Sequence, residues 1–169
     1  MKLNAKISMK TLSALPQDEF VVTLADIFEH SPWIPERAWA ARPFADIGQL
    51  HGAMLAVLDA ASAEEQLALI CAHPELAGKE AAEGTLTNAS TAEQRGAGLD
   101  QCSKDELVRL RKLNVAYRER FGFPFVIAVK GLSRYQTMGS VDARLNNDRD
   151  TEFKTCLREI GKIARFRLD

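Results

Sequence analysis

The sequence predicts an all-α fold, a single compact bundle of about seven to eight helices formed by one domain over residues 1–169. Apolar residues recur at intervals of three and four along nearly the whole chain, which is the spacing of one helix face. Three Ser-x-x-Glu sequences have the pattern of a capping box, in which serine and glutamate close a helix start. Only one segment has the composition of a β-strand, and one strand cannot form a sheet.

Four helices are predicted in the first half of the chain. The first has Pro16 in its first turn and ends at His30-Ser31-Pro32. Its apolar face consists of Phe20, Val21, Leu24, Ile27 and Phe28. A short helix follows near residues 36–41, and a longer one covers about residues 46–60. A capping box at residues 62–65 opens the fourth helix, which should end at His73 because a residue before proline avoids the helical region.

A long loop of small and polar residues is predicted from Ala77 to Ala89. Loops of this length in compact domains are often lids that close over a site, or else disordered segments. Ser90 and Glu93 then have the spacing of a capping box, which predicts that Ser90 is the N-cap of the next helix.

The sequence after residue 102 predicts three more helices. A capping box of Ser103 and Glu106 opens one that ends near Gly122, and two others cover about residues 133–146 and 151–167. Between them lies Phe123-Pro124-Phe125-Val126-Ile127-Ala128-Val129, which is aromatic and β-branched. Because it has no partner strand, we interpret it as a buried, irregular connector.

Composition and charge exclude several classes of protein. The chain is 46% hydrophobic and 27% charged, with a formal net charge of −1, so neither a nucleic-acid partner nor a membrane partner is expected. The N-terminus lacks an apolar signal core. Cys71, Cys102 and Cys156 have no metal-ligand spacing, which is typical of reduced thiols in a cytoplasmic protein.

His73 is the first candidate for chemistry. The dipole of the helix that ends beside it would favour a protonated imidazole, and such a group can donate a proton near neutral pH. A purely structural role as a helix C-terminal cap fits the same spacing. His30 and His51 are interpreted as a cap and as a surface or packed residue. The three histidines lack the HExxH spacing, so no metal site is expected.

Three blocks of sequence together resemble one family. They are HPELAG at residues 73–78, STAEQ at 90–94 followed by GAG at 96–98, and FGFPFVI at 121–127. In this order they resemble the 2-oxo-4-hydroxy-4-carboxy-5-ureidoimidazoline (OHCU) decarboxylases of urate breakdown. The resemblance spans nearly the whole chain. It departs from the family at Lys130-Gly131, where arginine is expected after the apolar segment.

The resemblance implies a function and a set of site residues. The family is all-α, needs no cofactor, and converts OHCU to (S)-allantoin. His73 would be the proton donor and Glu93 its catalytic partner at the substrate. The implied substrate-binding residues are Pro74, Ser90, Thr91, Ala92, Glu93, Gln94, Phe125, Val126, Ile127, Ala128 and Val129. Some family members are dimers, which implies a homodimer here.

Physical chemistry assigns roles to two parts of this set. The backbone of residues 123–129 is expected to match the N–H and C=O groups of a ureido compound, because helical backbone has already used its own. Gln94 is expected to offer both a donor and an acceptor. Two alternatives remain open: a non-catalytic helical binding module, and a decarboxylase of a related ureido or imidazoline acid.

Overall fold

The computed structural model describes residues 7–169, and in that range the chain forms ten α-helices and two 3-10 turns, with no β-strand. The prediction of an all-α fold is confirmed. Three of the ten helices have only five or six residues, which explains why the periodicity predicted about seven or eight. None of the helices in this range is long and apolar enough to span a bilayer.

Contacts divide the described residues into two compact units. The first consists of the chain up to Ala72 together with Gly161–Asp169. Its helices are α1 (Met9–Ala14), α2 (Gln17–Thr23), α3 (Trp33–Ala38), α4 (Ile47–Ala60) and α5 (Ala63–Ala72), with a 3-10 turn at Trp39–Ala41. Its core includes Leu12, Phe20, Leu24, Ile34, Leu50, Met54, Leu58 and Ile70. The organisation of residues 1–169 as one domain stays a prediction.

Helix α2 is shorter than predicted, because it ends at Thr23 and not at His30. From Leu24 onward the chain continues in tight turns, such as the one closed by the bond from Ile27 N–H to the Leu24 carbonyl at 3.2 Å. His30 has a φ of 47°, which no helix can contain. These turns bury Leu24, Ile27 and Phe28, which are spaced by three and four as on a helix face, so the apolar spacing of this segment did not distinguish the turns from a helix.

The turns after α2 are held by a buried arginine from the end of the chain. Arg167 donates from Nη2 to Glu29 Oε1 at 2.8 Å and from Nη1 to the Asp26 carbonyl at 3.0 Å. Both side chains of the ion pair are less than a tenth exposed. Gly161–Asp169 is therefore an integral part of the first unit.

The second unit comprises His73–Ile160. Its helices are α6 (Lys79–Glu83), α7 (Asn88–Gly96), α8 (Lys104–Phe121), α9 (Arg134–Arg144) and the first part of α10 (Arg149–Leu168), with a 3-10 turn at Leu99–Gln101. Its core includes Leu110, Tyr117, Phe121, Phe123, Phe125, Met138, Val141 and Cys156. The capping box of Ser103 and Glu106 is confirmed, and so is the helix end at Gly122, which has a φ of 82°.

Two predictions about residues 77–96 are wrong. The segment from Ala77 to Ala89 is not one long loop, because it contains α6 and the first two residues of α7. Ser90 is not an N-cap. The N-cap of α7 is Thr87, whose hydroxyl accepts the backbone N–H of Ser90 at 3.2 Å. Serine and threonine are both preferred at the N-cap. The sequence therefore did not show which of Thr87 and Ser90, only three residues apart, caps the helix.

Candidate functional site

His73 lies immediately after the end of α5, as predicted, and its side chain is buried. Pro74 follows and is half-buried. Proline fixes its own φ near −65° and restricts the residue before it to extended conformations. The backbone on both sides of the His73 side chain therefore has little rotational freedom.

The next four residues form a tight turn. The Gly78 N–H donates to the Glu75 carbonyl at 3.2 Å, and Ala77 has a φ of 49°. A Cβ at residue 78 would lie 2.8 Å from the Glu75 Cβ, so only glycine fits. The HPELAG segment thus folds back on itself directly after His73-Pro74.

Helix α8 holds this turn with two side chains. Asn114 Nδ2 donates to the Leu76 carbonyl at 3.0 Å, in a buried setting. One turn further along α8, Arg118 Nε donates to Glu75 Oε1 at 2.8 Å. The pair of Arg118 and Glu75 is partly exposed, whereas Asn114 is only 3% exposed.

Helix α7 holds the turn from another side, through Gln94. Its Oε1 accepts the backbone N–H of Ala77 at 2.9 Å. This bond stabilises the left-handed conformation of Ala77, which a non-glycine residue seldom adopts. That Gln94 offers both a donor and an acceptor to a ligand stays a prediction, with one of the two lone pairs of its oxygen already used by the Ala77 N–H.

The five predicted residues of α7 differ in exposure. Ser90 and Gln94 are buried, Thr91 and Glu93 are half-buried, and Ala92 is exposed. Ser90 and Glu93 are three apart and share one face of the helix. Because Thr87 is the N-cap, the Glu93 carboxylate does not have the capping-box role that its spacing suggested.

A cleft of about 370 Å³ lies against the other face of α7. Its lining includes Ala77, Thr91 and Gln94 from the predicted site segments, together with Arg95, Cys102 and Arg111. His73, Ser90 and Glu93 do not belong to this lining. Burial raises the pKa of the Cys102 thiol, which keeps it in its unreactive protonated form.

The segment from Phe123 to Val129 is an irregular connector, as predicted. The carbonyls of Val126 and Val129 already accept hydrogen bonds, from Arg144 Nη1 at 2.8 Å and from the Leu132 N–H at 2.9 Å. Within residues 7–169, no hydrogen bond is made by the backbone groups of Ile127 and Ala128, which are half-buried. The carbonyls of Val126 and Val129 are therefore used within the protein, whereas in the described part of the chain the backbone groups of Ile127 and Ala128 are not.

A buried polar network lies behind the connector. Glu152 is fully buried, and its Oε1 accepts from the Tyr117 hydroxyl at 2.6 Å and from Arg144 Nε at 2.7 Å. Asn147 Nδ2 donates to the other carboxylate oxygen at 2.9 Å. Burial raises the pKa of Tyr117 well above its usual range, so its hydroxyl remains a donor. Arg144 connects this network to Val126.

The other two histidines lie in the first unit. His51 Nε2 is 2.8 Å from the Gly161 carbonyl, and His30 is exposed with its Nε2 3.8 Å from Glu29. Among residues 7–169, no three His, Cys, Asp or Glu side chains are grouped in a way that could hold a metal ion. All three cysteines are free.

The family model described as OHCU decarboxylase matches residues 13–169. The chain belongs to the OHCU decarboxylase family. The resemblance found in the three sequence blocks is therefore confirmed.

Two curated relatives support this membership over almost their full length, and a third supports it over part of its length. The chain is 41% identical over 163 residues to the OHCU decarboxylase of Haloferax volcanii, covering 96% of this chain and 95% of that protein. It is 36% identical to the mouse OHCU decarboxylase, covering 96% and 91% of the two chains. It is also 42% identical to a uric acid degradation bifunctional protein of Bacillus subtilis, of which it spans 32%.

Solved structures of OHCU decarboxylase relatives share the fold. A crystal structure of (S)-allantoin synthase matches with a TM-score of 0.74 at 29% identity, covering 96% of this chain and 53% of that one. An OHCU decarboxylase crystallised in the presence of (S)-allantoin matches with a TM-score of 0.67 at 20% identity, covering 82% and 89%. The second comparison supports the fold alone.

Two residues beside the family motif were not identified from the sequence, namely Asn114 and Arg118. Asn114 did carry a signal, because it is a polar residue inside the apolar stripe of α8 that contains Leu110 and Tyr117. Arg118 had none, because its helix position is exposed and charged.

Proposed function

We propose that this protein decarboxylates OHCU to (S)-allantoin without a cofactor, as a step of urate breakdown. The observation that carries the proposal is the 41% identity with an OHCU decarboxylase over 95% of that enzyme. The HPELAG and STAEQ segments are present within the matched region.

The chemistry of the substrate explains why no cofactor is needed. The ring carbon that bears the hydroxyl also bears the carboxylate, and the neighbouring carbon, which bears the ureido group, forms a C=N bond. When the bond to the carboxylate breaks and CO₂ leaves, its electron pair forms a C=C bond between these two carbons. The C=N electrons move to nitrogen, which takes up a proton. The product is an enol.

The enol becomes (S)-allantoin by gaining a proton on the ureido-bearing carbon and losing the hydroxyl proton as the ring carbonyl forms. One proton is taken up overall for each CO₂ released. We assign delivery of the carbon-bound proton to His73, on one face of the ring. Glu93 accepts a hydrogen bond from the substrate hydroxyl. Delivery to a single face is what produces a single enantiomer.

Binding is assigned to the segments beside these two groups. The backbone of Ile127 and Ala128 is available for the N–H and C=O groups of the ureido chain. The Gln94 amide supplies a donor and, through the second lone pair of its oxygen, an acceptor. Pro74, Ser90, Thr91, Ala92 and the remaining residues of 125–129 complete the proposed lining.

The test is to form OHCU from urate in situ and follow (S)-allantoin by circular dichroism. We expect His73→Asn to lower kcat about 100-fold or more, which is the usual contribution of a general acid. Glu93→Gln keeps the shape of the side chain and removes its charge, so its turnover measures what the negative charge of Glu93 contributes. Wild-type protein that forms (S)-allantoin no faster than the spontaneous reaction would contradict the proposal. Turnover of a related ureido or imidazoline acid, with no turnover of OHCU, would favour the alternative that the protein is a decarboxylase of that acid.

We further propose that the chain acts as a homodimer in the cytoplasm. Three free cysteines suit a reducing compartment. Light scattering on a sizing column tests the dimer, and fractionation of the source cells tests the location. A mass equal to the 18.7 kDa chain would contradict the dimer.

A further inference from the structure

We propose that Asn114 and Arg118 of α8 are positioning residues for His73. They hold Leu76 and Glu75, the residues that follow His73-Pro74, and so determine where the imidazole points. This inference rests on the proposed function for the catalytic role of His73. The contacts themselves do not depend on that role.

The geometry provides a rigid support for the turn. Asn114 and Arg118 are four residues apart and therefore on one face of a helix of 18 residues. They bond to Leu76 and Glu75 at 3.0 and 2.8 Å, and Gln94 of α7 bonds to Ala77 at 2.9 Å. Three consecutive residues of the turn are thus each held by a different side chain.

The turn transmits its position to His73 through Pro74. The fixed φ of proline and the restriction on the residue before it leave few backbone torsions between Glu75 and the His73 Cα. We therefore expect a shift of the Glu75 or Leu76 backbone to displace the imidazole. Catalysis is sensitive to such shifts, since a displacement of about 1 Å can reduce a rate about 100-fold.

The energetics favour positioning over stability as the role of these residues. The Arg118 side chain is 50% exposed, and ion pairs of this exposure contribute little to folding. Asn114 is buried, yet its Oδ1 has no hydrogen-bond partner within residues 7–169. An unpaired buried oxygen opposes folding, and it offsets part of what the bond to the Leu76 carbonyl contributes to stability. What asparagine adds is the bond to the Leu76 carbonyl.

The experiment compares Arg118→Met with Arg109→Met. Arg109 lies on the same helix and forms an ion pair of 2.8 Å with Asp142 at similar exposure, but it does not touch the turn. We expect Arg118→Met to lower kcat about tenfold with KM unchanged, and Arg109→Met to keep both values. Arg118→Lys should restore part of kcat, because it keeps a charge beside Glu75. Asn114→Leu should lower kcat in the same way.

An NMR measurement without substrate tests the positioning of His73 separately from the proposed decarboxylase function. The ring C–H signal of His73 should shift and broaden in Arg118→Met and stay unchanged in Arg109→Met. If wild type does not convert OHCU but the His73 signal responds as expected, the proposed function fails and the positioning inference stands. If wild type converts OHCU and Arg118→Met has wild-type kcat, the positioning inference is overturned. Equal losses in Arg118→Met and Arg109→Met overturn it as well.

Discussion

Arg144 donates a 2.8 Å hydrogen bond from Nη1 to the carbonyl of Val126, and through this bond a buried ion pair supports the connector of the proposed site. The same guanidinium donates from Nε to Glu152, whose side chain is fully buried. One residue therefore joins the interior charge network of the second unit to the backbone assigned to substrate binding.

Replacing Arg144 should be strongly destabilising. In Arg144→Met the Glu152 carboxylate keeps donors from Tyr117 and Asn147 but loses its counter-charge inside the core. We expect the free energy of unfolding in urea to fall by about 3–5 kcal/mol. The control is Arg109→Met, which removes an exposed ion pair and should cost about 0–1 kcal/mol. Equal losses in the two variants would show that burial of the pair does not matter.

Thr87→Ala should lower the free energy of unfolding by about 1 kcal/mol, because it removes the hydroxyl that caps α7. Thr87→Ser keeps the cap and should be close to wild type. Urea unfolding of the three proteins measures both effects. If Thr87→Ala had the stability of the wild type, Ser90 would be the N-cap of α7, as the capping-box pattern predicted.

Gly78→Ala should disturb the turn after His73. The new Cβ would lie 2.8 Å from the Glu75 Cβ and 3.3 Å from its carbonyl oxygen, so the turn must open. We expect a loss of about 1–3 kcal/mol in unfolding free energy together with reduced turnover. Gly139→Ala is the matched control in α9, where no atom beyond the chain neighbours and the backbone of the helix itself lies within 4 Å of the added methyl group. It should stabilise the protein by about 0.5–1 kcal/mol. Similar effects of the two substitutions would exclude a steric role for Gly78.

The Glu106 carboxylate should make folding pH-dependent in acid. The pKa of Glu106 is lowered from 4.5 to about 2, mainly by the hydrogen bond from Arg134 and further by the bond that the carboxylate accepts from the Ser103 backbone N–H. Below pH 4.5 the unfolded chain binds a proton at Glu106 that the folded chain does not bind. The stability that this group contributes is present above pH 4.5 and is lost as pH falls towards 2.

The comparison that detects this loss is wild type against Glu106→Gln. The difference between their unfolding free energies should be constant above pH 4.5 and shrink steadily down to about pH 2. Chemical denaturation at a series of pH values measures it. A difference that stays constant through this range would show that Glu106 is not stabilised by Arg134 in the folded protein.

Sequence patterns predicted those features that depend on neighbours along the chain. The end of α5 before Pro74, the capping box of Ser103 and the end of α8 at Gly122 each follow from a few adjacent residues. The start of α7 was missed because Thr87 and Ser90 are both good capping residues, and only packing selects between them.

Contacts between distant residues could not be predicted from local patterns. The bonds that hold the turn after His73 join residues 38 and 43 positions apart, from Leu76 to Asn114 and from Glu75 to Arg118. A single sequence does not reveal which helix passes a given loop. The motif blocks identified the catalytic candidates, but they did not identify what supports those candidates.

The bond between Arg167 and Glu29 has a consequence for biosynthesis. It spans 138 positions, and the chain between its ends includes the entire second unit. During translation, which proceeds at about 5–20 residues per second, His73–Ile160 can emerge and fold as a continuous stretch. The first unit, although its helices are made earlier, must wait for Gly161–Asp169. The segment made first is therefore the last to be completed.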